Sequence, residues 1–251
     1  MRYAILSDIH SNLEALSAVL EHLASQRIDR YIVLGDLVGY GADPEACLER
    51  LQACGATSVC GNHDWACLGK FDVNWFNEAA RRAILWTRDR LSFSDLDFLR
   101  RLPLVTSEGS LTLVHGTLHR PERFDYLVDW AQAVDTVKTC QTMICLVGHT
   151  HVPFVFEYDL AQERVSRLLT LPHELAEVRL ADDATRVRYV INPGSVGQPR
   201  DGDSRASCAI LDTESAQLSI QRLGYDVPSA QAKIRKARLP EFLAERLAVG
   251  R

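Results

Sequence analysis

The sequence predicts an α/β fold: a four-layer α/β/β/α sandwich of two packed mixed sheets, with a helical C-terminal segment. Three observations predict it. Short apolar runs alternate with helical spacing over residues 1–60, a strand-rich stretch fills residues 143–222, and helical spacing returns over residues 227–247. Alternation of this kind calls for strands flanked by helices, and a late run of strands calls for a second sheet packed on the first.

Tyr3 to Leu6 reads as a strand, and Leu13, Leu16, Val19, Leu20 and Leu23 recur at helical spacing behind Ser11 as the cap. Residues 31–34 form a second strand, residues 44–51 a helix opened by Pro44, and residues 57–60 a third strand. This βαβαβ order implies a parallel sheet. Residues 74–101 read as helical, with Trp75, Ala79, Ile84 and Leu85 on the apolar side and a break at Leu91-Ser92. Leu104-Val105 and residues 111–114 pair as a hairpin across Glu108-Gly109, a helix follows over 128–139, and residues 143–147 give another strand. Further strands fall at 153–158, 164–169, 187–191, 206–211 and 217–222, with 171–185 as a polar excursion between two of them. Two short helices, interrupted at Leu239-Pro240, close the chain. With no internal repeat and no low-complexity segment, residues 1–251 read as one domain with a helical extension over 225–251.

Composition narrows the function. Apolar residues make up 47% and charged residues 24%, as in a folded globular chain. Acidic residues outnumber basic ones by 33 to 28 and no Lys/Arg run occurs, which argues against a dedicated nucleic-acid or membrane surface. No apolar stretch approaches the roughly 20 residues that span a bilayer. The seven cysteines are odd in number and lack CxxC spacing, so reduced thiols and a cytoplasmic location are expected. The N-terminus opens directly on a strand, too short an apolar run for a signal peptide.

Chemistry enters at the strand ends. Asp8 and His10 follow the first strand, Gly35-Asp36 the second, and Gly61-Asn62-His63-Asp64 the third, while His115-Gly116 and Gly148-His149-Thr150-His151 end two later strands. A single such Asp or His is ordinarily a cap or turn residue. Five together are different, because capping needs no histidine and the carboxyl ends of strands in an open α/β sheet share one rim.

This set resembles the calcineurin-like metallophosphoesterase superfamily over residues 1–200, and the short chain with Ile191-Asn-Pro-Gly-Ser-Val196 resembles its small bacterial and archaeal phosphodiesterase branch. The resemblance implies two divalent transition-metal ions bridged by Asp36. Asp8, His10 and His151 would complete one, and Asn62, His115 and His149 the other. Manganese is the foremost expectation among Mn, Fe, Ni, Co and Zn, since such ions accept imidazole and carboxylate together. It further implies hydrolysis by a bridging hydroxide, without a covalent intermediate. His149 and His151, two apart, can serve different ions only if their loop bends. His63 follows Asn62 directly, and neighbours in extended chain point opposite ways, so His63 is expected to be the proton donor, with a packed supporting role as the alternative.

One departure bears on substrate. Phosphoprotein phosphatases and symmetrical dinucleoside tetraphosphatases carry a second motif resembling Gly-Asp-x-Val-Asp-Arg-Gly, whereas this chain has Gly35-Asp-Leu-Val-Gly-Tyr-Gly41. The Asp that would orient the catalytic His and the Arg that would grip phosphate are missing, which argues against protein phosphatase activity. Tyr40 is a candidate for stacking on an aromatic leaving group, or else a packed loop anchor. Arg200, with Asp201 and Arg205, is a candidate for the substrate side, or else a solvated loop charge. Asn192-Pro-Gly-Ser195 reads as a turn beneath the site. The expected function is metal-dependent hydrolysis of a phosphodiester, nucleotide or dinucleoside polyphosphate, with a small phosphorylated or nucleotide substrate. The alternatives are a repair-type metallonuclease and a non-catalytic scaffold on the same fold. A homo-oligomer is left open.

Overall fold

A computed structural model describes residues 1–127, 129–168, 176–181 and 183–251, and the alternation along β1 (Arg2–Leu6) sets its layers. Tyr3 and Ile5 point into an apolar layer shared by both sheets, whereas Ala4 and Leu6 point the other way, onto helices. Period-two alternation makes one strand serve two cores.

The first sheet has the order β3-β2-β1-β11-β12-β9, built from β2 (Arg30–Val33), β3 (Thr57–Ser58), β9 (Ala176–Arg179), β11 (Ala206–Asp212) and β12 (Gln217–Leu223) around β1. Its β1-β2-β3 half is parallel and the rest antiparallel. The second sheet runs β4-β5-β6-β10-β7-β8, from β4 (Val105–Glu108), β5 (Leu111–Val114), β6 (Ile144–Leu146), β7 (Phe154–Asp159), β8 (Arg164–Arg167) and β10 (Val187–Asn192). It too is mixed, with β5-β6-β10 parallel. Leu113, Leu146, Val155 and Ile191 of this sheet meet Ile5, Ile32, Leu211 and Ile220 of the first.

Helices cover both outer faces. α1 (Leu13–Ala24) and α2 (Pro44–Ala53) bury Leu16, Val19, Leu48 and Leu51 against the first sheet, joined by α3 (Asn62–Cys67), α4 (Glu78–Arg88) and α5 (Phe93–Arg101). On the second sheet α6 (Trp130–Thr139) packs Ala133 and Val137 against Phe154, Phe156 and Val190. The result is the expected four-layer α/β/β/α sandwich.

Four local expectations need correction. The cap of α1 is Asn12, whose side-chain oxygen accepts from the Ala15 N–H at 3.1 Å, because Ser11 is turned into the left-handed region at φ 53°. The third strand stops at Ser58, since the chain turns at Gly61 into α3, so Asn62 and His63 lie on a helix rather than on extended chain. Trp75 is 82% exposed instead of sitting on an apolar helix face. It belongs to a 3-10 turn, Val73–Trp75, ahead of the helix that begins behind Asn77, and so is out of phase with it. Finally, the expected excursion at 171–185 contains β9, where Val178 packs into the inter-sheet layer. Residues 169–175 and 182, and Val128 at the head of the expected 128–139 helix, lie outside the described residues.

The C-terminal segment docks beside the carboxyl ends of the first sheet. α7 (Val227–Lys236) and α8 (Glu241–Glu245), with the turn Arg246–Ala248, bury Ile234, Leu243 and Leu247 against Ala80 and Ala83 of α4 and against Tyr40. Lys233 pins α7 through Glu14 at 2.5 Å and Asp43 at 2.9 Å. Among the described residues no helix is long and apolar enough to cross a membrane, and none of the seven cysteines is bridged.

Candidate active site

Five sharp turns bring the strand-end motifs to one rim. Asp8, His10, Asp36, His149 and His151 all take positive φ, between 47° and 66°. Left-handed backbone at residues other than glycine is costly and persists where surroundings over-determine it. Here they do. The Asp8 and His10 N–H groups donate to the carbonyls of Gly35 and Asp36 at 3.1 and 3.0 Å, and the Val196 and Gly197 N–H groups donate to the Ser7 and Asp8 carbonyls at 2.9 Å. The turn at Asn192-Pro-Gly-Ser195 does lie beneath: the Asn192 amide donates to the Gly148 carbonyl at 2.7 Å and the Ser195 hydroxyl to the Asp8 carbonyl at 2.9 Å. The bend expected between His149 and His151 is made by the positive φ of both residues.

The side chains form two buried groups that share one carboxylate. Asp8, His10, Asp36 and His151 make the first, and Asp36, His115 and His149 the second, with the donor atoms of each group all within 4.8 Å of one another. Asp36 Oδ2 lies 3.5 Å from His10 Nε2 and 3.4 Å from His115 Nε2. Asp8 Oδ1 is 3.3 Å from His151 Nε2, and Asn62 Oδ1 is 3.3 Å from His115 Nε2.

These donors suit a cation. The Nδ1 atoms of His10, His115 and His151 face the carbonyls of Val38, Leu34 and Gln198 at 3.2, 2.6 and 2.6 Å. A carbonyl only accepts, so each Nδ1 carries a proton, and each Nε2 is the atom that can offer a lone pair to a cation once it is unprotonated. Yet His10 Nε2 faces His151 Nε2 at 3.2 Å, and His115 Nε2 faces His149 Nδ1 at 3.1 Å. Bare lone pairs repel at such distances unless a proton or metal ion lies between them. Asp8 Oδ1 is likewise buried with no hydrogen-bond partner.

Protonation follows the same logic. Complete burial pushes the Asp8 carboxyl up to about 7 and holds His10, His149 and His151 well below the ordinary imidazole value. Burial also opposes charge on His115, but the Asp36 carboxylate outweighs it and lifts that imidazole to about 9. Burial would raise Asp36, and the positive side of His115 instead keeps it well below the usual carboxylate range.

The profile of the calcineurin-like phosphoesterase superfamily domain matches residues 1–216. The chain belongs to the calcineurin-like phosphoesterase superfamily. Members are phosphoester hydrolases that use divalent metals, and the two Asp/His groups are where this chain could hold them. An uncharacterized protein of Methanocaldococcus jannaschii is 42% identical over 252 residues, covering 99% of this chain and 98% of that one. The crystal structure of a metallophosphoesterase from Sphaerobacter thermophilus superposes with a TM-score of 0.84 at 39% identity, over 100% of this chain and 99% of that one. A symmetrical bis(5'-nucleosyl)-tetraphosphatase of Chromohalobacter salexigens is 38% identical over 122 residues, 45% of this chain and 42% of that protein.

Within this calcineurin-like site His63 stands apart from the two groups. It occupies the first turn of α3, its backbone N–H donating to Asp36 Oδ1 at 2.9 Å while its ring turns towards Tyr40, His10 and Phe76, with centroids 4.4, 4.8 and 4.9 Å away. Its Nδ1 has no hydrogen-bond partner, and burial lowers its pKa to about 4. What orients it is packing: a Cβ on Gly39, at φ +93°, would lie 2.5 Å from His63 Nδ1. Asp64 fixes the two loops together by accepting from the N–H groups of Gly61 at 2.9 Å and Val38 at 3.2 Å. The sequence signal for this role is the place of Asp64 three residues after the helix-opening Gly61.

Tyr40 is packed into the lining of the cleft. It is 7% exposed, with the rings of His10 and His63 against it and the C-terminal helices behind. Arg200 is half-buried, donating to the Tyr40 hydroxyl at 3.3 Å and to Gln198 Oε1 at 3.1 Å, while its buried Nε lacks a hydrogen-bond partner. Asp201 is paired with Arg222, and Arg205 with Asp203. A cleft of about 310 Å³ opens at the site, lined by Asp36, Asn62, His63, His149, His151 and Arg200 together with a set of aromatic residues.

Proposed function

We propose that this chain is a two-metal phosphoesterase acting on phosphodiesters or nucleotide anhydrides. The observation that carries this is the single Asp36 carboxylate lying against both the His10 and the His115 side of the cluster. Asp8, His10, Asp36 and His151 would hold one ion, and Asp36, Asn62, His115 and His149 the other. The donors are imidazole, carboxylate and amide without thiolate, which suits borderline divalent ions, manganese foremost. Two such ions, when bound, clamp a phosphoryl group and acidify water for attack.

The chain's own residues supply the rest. Arg200, a half-buried cation lining the cleft, whose Nε has no hydrogen-bond partner, binds a phosphate oxygen. His63 gives a proton to the leaving oxygen. In the free protein its burial keeps it neutral near pH 7, and the anionic substrate provides the counter-charge that raises it. Gly39 and Tyr40 stand where the protein-phosphatase motif has its orienting Asp and phosphate-gripping Arg, so His63 is held by packing instead of by a carboxylate. That difference favours diesters and anhydrides over phosphoproteins. The buried, unbridged thiols support a reducing, cytoplasmic setting, and the chain is read as one domain.

A panel of phosphomonoesters, diesters, dinucleoside polyphosphates and a phosphoserine peptide, assayed with several divalent ions, tests this. Diesters or anhydrides should give the highest kcat/KM, and only with metal. A phosphopeptide at the top, or turnover in excess chelator, would overturn it.

A further inference from the structure

The outer half of the cleft has a chemistry that hydrolysis alone does not require. A chain of rings lines the cleft: His63 to Phe76 at 4.9 Å, Phe76 to Phe71 at 5.7 Å, and Phe71 to Phe124 at 5.5 Å between centroids. Trp75, beside Phe76 at the rim, is 82% exposed. Among the described residues no ring or cation is stacked on its indole. Tyr126, which lines the same cleft, stacks on His149 at 3.9 Å and 21°, and remains 47% exposed. An open indole and a half-exposed phenol thus line the same cleft as Arg200 and the Asp/His groups.

We propose that Trp75, lining one cleft with Phe71, Phe76 and Tyr126, is a nucleobase subsite, so that the substrate class is a phosphoester carrying a purine or pyrimidine. Stacking asks only for a π-face of the right size, so this wall selects for a base without reading which base it is. The cleft volume, about 310 Å³, fits a mononucleotide-sized group, the low end of small-molecule sites. The inference rests on the proposed reaction only in placing the substrate's phosphate at Arg200 and the two Asp/His groups.

The test is an equilibrium one, so that it does not depend on turnover. AMP and ribose 5-phosphate present the same phosphate and sugar and differ in the base; each is titrated by calorimetry into manganese-loaded protein. Wild type should bind AMP more tightly by roughly 5- to 100-fold, the worth of one stacked base. Trp75→Ala, at a position too exposed to endanger folding, should bring the ratio to within about twofold while leaving ribose 5-phosphate affinity unchanged. Equal affinities in wild type, or a preference for AMP that survives Trp75→Ala, would overturn the subsite. An intact, Trp75-dependent preference in a protein that hydrolyses no phosphoester would support the subsite and refute the proposed reaction.

Discussion

Replacing His63 by alanine separates proton donation from metal binding. The contact between residue 63 and Asp36 is made by the backbone N–H, at 2.9 Å, and survives the substitution, so both ions should stay. The ring itself is fully buried against Tyr40, His10 and Phe76, and its loss leaves a void costing on the order of 2 kcal/mol, or roughly 4–8 °C in Tm. The protein therefore remains folded in a 25 °C assay. Chemistry should slow by roughly 10²- to 10⁴-fold on an alkoxide-leaving diester, the usual worth of a positioned acid. On p-nitrophenyl esters the loss should be much smaller, because p-nitrophenolate departs as a stable anion. The pH profiles add a sign. Burial sets His63 at about 4 in the free protein, and a bound phosphate anion raises it, so the wild-type limb in kcat should lie at higher pH than the one in kcat/KM. Both limbs should vanish in His63→Ala. Equal losses on the two kinds of ester, or metal lost from the variant, would refute the acid role.

Two other perturbations probe the same centre. Gly39→Ala places a methyl 2.5 Å from His63 Nδ1 at φ +93°, so it should displace the ring and cut kcat by about 10²-fold with metal content unchanged; a wild-type rate would contradict orientation by packing. His115 is held at about 9, so below that pH a metal ion must expel a proton to bind there. Apparent metal affinity should fall by about tenfold for each pH unit lost below 9 and level off above it, with proton release seen by calorimetry in buffers of different ionisation enthalpy; affinity flat between pH 6 and 8 would count against this.

Much of the fold was legible because its signals are local and repeat. The parallel start shows in the spacing of Leu13, Leu16, Val19 and Leu23 between two apolar runs, and the hairpin at Glu108-Gly109 in its turn residues. β9 was hidden because Glu177 and Arg179 flank Val178 on a sheet edge, where one partly buried side chain among charges looks like loop. Ser11 and Asn12 are equally good caps on paper; the left-handed turn at Ser11, set by contacts with Leu37 and Asp43, decides between them. The site divides in the same way. Asp8, His10, Asp36, His115, His149 and His151 were visible because each ends a strand, and strand ends converge. What holds His63 depends on how the loop carrying Gly39 folds back onto α3, and the exposure of Trp75 depends on where α4 begins. Neither follows from spacing.

The central claim is that Asp36 joins two metal ions in one site. Elemental analysis of metal-loaded, desalted protein measures it most directly, on wild type and Asp36→Asn side by side. The account predicts two ions per chain in wild type and at most one in the variant, since a neutral amide cannot offset the repulsion between two dications as the shared carboxylate does. A wild type that saturates with one ion, or an Asp36→Asn variant that holds two with unchanged affinity, would contradict it.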